Sequence, residues 1–205
     1  MVTLIILFSI LSLFVLFLIF YKFIFLRDPK REYLEGDNIV APADGKIINI
    51  MNIDKKNVRI RKGFLGKVNT LCSDVITEGY LISIFMSVFD VHVNRAPIDG
   101  EILSVKHKKG KFFMAFDIEK SFLNESNEII LKTKIGKIKV IQIAGFLARR
   151  IQSFVKPKQK VNKAERIGRI VLGSQVSLIL PKNVRLLVNV GDRVKAGETL
   201  IAKNV

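Results

Sequence analysis

The chain holds two histidines, His92 and His107. Histidine suits general acid–base work near neutral pH, because its ordinary pKa lies close to 6.5. His92 lies in FDVHVNRAP, residues 89–97, with Asp90 two positions before it. On a strand, residues two apart share a face, which would set that carboxylate beside the imidazole. His107 lies in the basic run KHKKG, with nothing to orient it, and reads as a solvated side chain. Another carboxylate, Asp44, sits in PADG, where capping a turn is the ordinary use of an aspartate. Gly173-Ser174 precedes an apolar run, and such a pair by itself usually marks a turn. Arg95, Arg149 and Arg150 are cations that suit an anionic group or simply a charged surface. Cys72 is the single cysteine, which excludes an intrachain disulfide and a zinc site built on cysteines.

These residues need elements to hold them. The chain has 205 residues, 49% of them hydrophobic, so it is neither disordered nor short of core material. Val2–Tyr21 carries no charge. Twenty helical residues span roughly 30 Å, the hydrocarbon thickness of a bilayer. The run ends in Lys22, Arg27, Lys30 and Arg31 and lacks the basic start and small-residue end of a cleaved signal. It reads as an anchor that leaves the remainder on the cytoplasmic side of the cell membrane. Residues 1–26 are then the anchor, 27–38 a polar linker and 39–205 the folded part. The chain carries 34 Lys+Arg against 18 Asp+Glu. That excess suits an anionic membrane face. No interleaving of basic and aromatic residues favours nucleic acid.

The folded part predicts short strands over Lys46–Ile53, Tyr80–Ser87, Glu101–Lys106, Phe112–Asp117, Glu128–Thr133, Lys137–Ile143, Gln175–Leu180 and Arg185–Val190. Turns such as Asp99-Gly100 and Gly191-Asp192 separate them. Both parities of Lys137–Ile143 are mixed, so its inward face is undetermined. A short helix is expected near 145–154. The fold class is mainly β, an antiparallel sandwich or barrel-sandwich. The stretches APADGKIINI and NVGDRVKAGETLIA are similar to the two halves of a lipoyl- or biotinyl-type barrel-sandwich, but no methionine neighbours a lysine as a carrier hairpin requires.

Three segments considered jointly are more specific: APADGK at 41–46, FDVHVNRAPIDG at 89–100 and IVLGSQVSLILP at 170–181, with IQIAGFLARRI between the last two. In order and spacing they resemble the phosphatidylserine decarboxylase proenzyme family in its short prokaryotic form, over about Val40 to Leu180. The resemblance implies self-cleavage at Gly173-Ser174. Ser174 Oγ would attack the Gly173 carbonyl, and elimination would leave a pyruvoyl group derived from Ser174. A large chain, 1–173, and a small one, 174–205, would stay together as a heterodimer. Glycine before the serine leaves the attack unobstructed and tolerates a strained backbone.

The resemblance also implies a Schiff base between that covalent pyruvoyl cofactor and the serine headgroup of an anionic phospholipid, loss of CO2, and release of phosphatidylethanolamine, with no metal. It would pair Asp44 with a histidine to promote cleavage, and His92 is the best proton donor to the product carbon. Longer members carry two histidines three residues apart; Arg95 stands at the second position here. Cleavage and decarboxylation then both depend on His92, or one of them uses another group. Asp90 stays a further carboxylate candidate, and Arg95, Arg149 and Arg150 are candidates for the substrate phosphate. The alternative is the same chemistry on another serine-headed lipid, such as an archaeal-type one. A non-enzymatic membrane adaptor on a barrel-sandwich would account for GDRVKAGETL but give FDVHVNRAP no purpose.

Overall fold

The computed structural model describes residues 1–54, 72–111, 113–114, 118–145, 150–171 and 174–205. The uncharged N-terminal run forms helix α1, Val2–Ile19, which continues as a π-helical turn over Phe20–Phe25. Residues Val2–Phe25 make one helix long and apolar enough to cross a membrane. No residue of α1 is buried; beyond it the Phe20 ring meets Phe89 with centroids 5.9 Å apart, and Phe25 is buried.

Everything after it is strand-dominated. In chain order the strands are β1 (Asn38–Val40), β2 (Gly45–Ile53), β3 (Gly79–Met86), β4 (Val93–Arg95), β5 (Gly100–Lys108), β6 (Ser126–Thr133), β7 (Gly136–Ala144), β8 (Ile151–Ser153), β9 (Lys160–Val161), β10 (Arg166–Ile170), β11 (Ser174–Pro181), β12 (Val184–Leu186), β13 (Arg193–Val194) and β14 (Leu200–Asn204). One helical turn, α2 (Ile118–Ser121), precedes β6. The main sheet has the order β13-β2-β3-β11-β7-β6-β5-β9 and is antiparallel throughout. Register shifts in β2 between Ile47 and Asn49, and in β5 between Ile102 and Ser104, mark bulges. Bulges of this kind bend a strand and increase its twist. Two small sheets, β4-β10-β8 and β1-β14-β12, complete the fold.

Strand β11 lies inside the main sheet, with β3 on one side and β7 on the other. Both of its faces are covered. Val176, Leu178 and Leu180 enter the larger core with Ile82, Ile84, Met86, Val140 and Ala144. Ile179 enters a smaller core with Cys72, Leu81, Ile141 and Ile143. The mixed parities of β7 have the same cause: Ile138 and Val140 face one core, Ile141 and Ile143 the other. Lys139 joins the second face and is buried as the partner of Glu128 and Asp74. A pairing of this kind is what makes a buried lysine tolerable.

Two expectations are corrected, and a third falls mostly outside the described residues. No helix covers the end of 145–154: Ile151–Ser153 is strand β8, paired with Gly168–Ile170, while residues 146–149 lie outside the described ones. The strand expected over Arg185–Val190 stops at Leu186. The strand expected over Phe112–Asp117 falls on residues 112 and 115–117, outside the described ones, and residues 113–114 are not strand.

The polar segment 27–38 is strapped to the folded part. Arg31 bridges Asp44 and Glu198, and Arg95 reaches back to Asp28 at 2.5 Å. Lys163 Nζ donates to the carbonyls of Leu34 and Gly36 and to Asn38 Oδ1.

Candidate active site

Ser174 opens β11 and is fully buried. Its register partners are Met86 on β3 and Ala144 on β7. Period-two alternation puts it on the face of Val176 and Leu178, toward the larger core. Its Oγ donates to Met86 Sδ at 3.4 Å. The same sulfur accepts from Asn94 Nδ2 at 3.7 Å. Asn94 Oδ1 accepts from Gln142 Nε2, and Gln142 Oε1 accepts from Asn127 Nδ2, each at 2.8 Å. A buried polar line thus runs from Ser174 through a thioether to three amides on β4, β7 and β6. Linked buried groups of this kind rigidify their surroundings. Sequence reasoning missed Asn94 and Gln142. Their signal is a polar amide inside a motif or an otherwise apolar strand.

His92 immediately precedes β4 and is 1% exposed. The segment before it is a turn rather than a strand. Asp90 Oδ2 accepts from the Ser87 N–H at 2.8 Å and the Ser87 hydroxyl at 2.7 Å. Asp90 therefore caps the turn, and its backbone carbonyl, not its carboxylate, meets His92 Nδ1 at 2.8 Å. A carbonyl only accepts, so Nδ1 carries the proton and Nε2 is left with its lone pair. That Nε2 is buried and has no hydrogen-bond partner among the described residues. The Phe25 ring packs on the imidazole with centroids 4.2 Å apart. Burial pulls the His92 pKa down to about 4, against the Asp90 carbonyl bond and carboxylate, which raise it; Arg27 and Arg169 lower it further. The imidazole is neutral at pH 7 and its free nitrogen can accept a proton.

Asp44 precedes β2, and its carboxylate accepts from Arg31 at 2.9 Å to each oxygen and from the Ala196 N–H at 2.8 Å. Asp44 and Asp90 line one cleft of ≈ 490 Å³ with Arg193, Lys195, Glu198 and Thr199. Arg193 stands 3.5 Å from Asp90 Oδ1. Gly45, next to Asp44, has a backbone φ of +148°, and a Cβ there would lie 2.1 Å from the Phe85 carbonyl oxygen. The turn that carries Asp44 into the sheet therefore needs glycine.

The remaining expected residues are scattered. Arg95 is buried and bonded to Asp28, to the Pro29 carbonyl and to the Ala164 carbonyl, so all its described partners belong to the protein. Burial lowers its pKa against the Asp28 charge. Arg150 is exposed, and its backbone carbonyl accepts from the Val171 N–H. Arg149 and Gly173 lie outside the described residues. His107 is not free of partners: its Nε2 meets Glu125 at 2.9 Å. Among the described residues, no group of three His, Cys, Asp or Glu side chains could hold a metal.

Residues 18–202 match the family model described as phosphatidylserine decarboxylase. Among similar proteins, one from Chlorobaculum parvum, named phosphatidylserine decarboxylase proenzyme, is 41% identical over 93% of this chain and 82% of its own length. One from Methanocaldococcus jannaschii, provisionally named an archaetidylserine decarboxylase proenzyme, is 41% identical over 90% of both chains. A phosphatidylserine decarboxylase proenzyme from Carboxydothermus hydrogenoformans is 38% identical over 94% of this chain and 84% of its own. With matches of this extent, the chain belongs to the phosphatidylserine decarboxylase family.

Proposed function

We propose that this chain is a proenzyme that cuts itself between Gly173 and Ser174 and then decarboxylates a serine-headed phospholipid at a bilayer surface. Decarboxylation in phospholipid synthesis is the activity that family membership supports. The observation that carries the finer reading is the burial of Ser174 at the head of a strand paired on both sides. A hydroxyl held there is fixed in place and shielded from water. Attack of Ser174 Oγ on the Gly173 carbonyl converts the amide to an ester. Loss of the α-proton of Ser174 expels the upstream chain as a carboxylate and leaves a dehydroalanine at residue 174. Water then replaces its amino nitrogen, released as ammonia, to leave a pyruvoyl group.

The burial that surrounds Ser174 fits such a group, because a reactive carbonyl there is kept from bulk water. A pyruvoyl group supplies a carbonyl that takes up an amine and draws off the electrons freed when CO2 leaves. The chain's own residues do the rest. His92, neutral and with Nε2 unpartnered, is the group available to move a proton. Asp90 fixes the His92 tautomer through its backbone carbonyl and the turn through its carboxylate. Asp44 acts from the neighbouring cleft, where its charge is held by Arg31. Arg95 holds the linker. Residues 1–26 anchor the protein, 27–38 dock it, and 39–205 are catalytic on the cytoplasmic side. Phosphatidylserine and archaetidylserine share the headgroup that this chemistry needs.

The test is the mass of the purified chain. Wild-type protein should separate in denaturant into two pieces, with the smaller, from residue 174, blocked to Edman degradation and reactive to carbonyl reagents. Ser174→Ala should stay whole and release no CO2. An active wild-type chain that stays whole, or a Ser174→Ala chain that still splits, overturns the proposal.

A further inference from the structure

Two cations, with no carboxylate partner among the described residues, lie near the buried imidazole. Arg169 lies on β10, half-buried, and its register partner is Val93, the residue after His92. The next residue, Ile170, donates its N–H to the His92 carbonyl at 3.3 Å. No hydrogen bond or ion pair occupies the Arg169 guanidinium among the described residues. Arg27 comes from the segment that follows the apolar helix. It follows Phe25, whose ring lies on His92, and among the described residues its guanidinium meets only the backbone carbonyls of Ile24 and Phe89. Other arginines have carboxylate partners: Arg31 pairs with Asp44 and Glu198, and Arg95 and Arg166 with Asp28. The carboxylate that faces His92 is Asp90, which is committed to Ser87 and Arg193.

We propose that Arg169, with Arg27 at the foot of the anchor, forms the recognition site for the phosphodiester of the lipid headgroup, presenting the headgroup to His92. The assignment rests on the decarboxylase reading above and deepens it. Arg27 stands where the apolar helix ends, the level at which phosphates of a bilayer lie. Guanidinium groups bind phosphate oxygens through strong charge-assisted bonds. The headgroup carries a second anion, its carboxylate, but pairing that group with arginine would work against the reaction. Negative charge leaves the carboxylate as CO2 departs, so a cation held there stabilises the ground state more than the transition state. The phosphodiester keeps its charge throughout and is the better handle.

Full-length wild type, Arg169→Gln and Arg169→Lys would be assayed on phosphatidylserine in neutral detergent micelles, with self-cleavage scored separately by mass. Arg169→Gln should raise KM about tenfold or more, with a much smaller change in kcat. Arg169→Lys should recover part of the loss, and added salt should raise KM for wild type far more than for Arg169→Gln. A normally cut Arg169→Gln with wild-type KM and salt response overturns the assignment. Should Arg169→Gln fail to cut, wild type answers instead through phenylglyoxal labelling of Arg169, mapped by peptide mass. Protection by glycerophosphoserine, and not by serine or equal inorganic phosphate, supports the site. Equal protection by inorganic phosphate, or none by glycerophosphoserine, overturns it. An uncut, inactive wild type sinks the decarboxylase reading instead, and the labelling still reads the cation site.

Discussion

An imidazole sealed under a phenyl ring behaves differently from one in water, and His92 makes this measurable. Its folded pKa, about 4, lies below the ordinary 6.5 because burial penalises the charged form. On acidification the unfolded chain therefore takes up this proton first. His92 contributes stability that is fully present above about pH 6.5 and is lost as pH falls toward 4. Replacing His92 with Gln should flatten the pH dependence of stability across that window, as read from urea midpoints. An unchanged slope would mean that other groups govern it. The candidate catalytic residues were partly legible in the chain. Ser174 and His92 stand in segments whose joint pattern is specific, and both are buried. The roles of the aspartates were not legible. Period-two spacing set Asp90 beside His92, but a turn intervenes, and the carboxylate goes to Ser87. Arg169 escaped notice because its position beside His92 depends on β10 pairing with β4, residues far apart in sequence.

At the scale of elements, the end of the apolar helix packs on the candidate catalytic histidine. Phe25 is 1% exposed, while Phe23 is 66% exposed two residues earlier. Phe25→Ala should admit water to His92 and move its pKa up toward 6.5, shifting the acid limb of the rate profile upward. Loss of the buried ring should also cost about 3 kcal/mol. Phe23→Ala should change neither, and a His92 titration by NMR compares the two. Gly45→Ala forces a methyl against the Phe85 carbonyl in a left-handed backbone, and should destabilise the fold by about 3 kcal/mol or more in thermal or urea unfolding. Alternating apolar residues and Gly/Asp turns were enough to find most strands of the main sheet. Ile151–Ser153 was not found, because its partner strand begins about 15 residues later and AGFLARRI has a helical look. The composition of 27–38 marks it only as a polar linker. Its acceptors and cations, such as Arg95 and Lys163, lie distant in sequence, so the docking is invisible locally.

Across the whole molecule, the proposed small fragment, 174–205, would contain β11, β12, β13 and β14. Strand β11 pairs with β3 and β7, β13 with β2, and β14 with β1. Its apolar residues fill both cores. The two pieces should therefore elute together in native size-exclusion chromatography and part only in denaturant; a small fragment lost without denaturant would contradict this. A last consequence follows from the strapping of residues 27–38 by Arg31, Arg95 and Lys163. A body fastened so closely to its own foot has no slack to swing toward another vesicle. On the proposed reading, it should serve lipids that drift past it sideways in the same sheet of membrane, and its turnover should follow their mole fraction there, with a crowd of separate liposomes in the same tube left untouched.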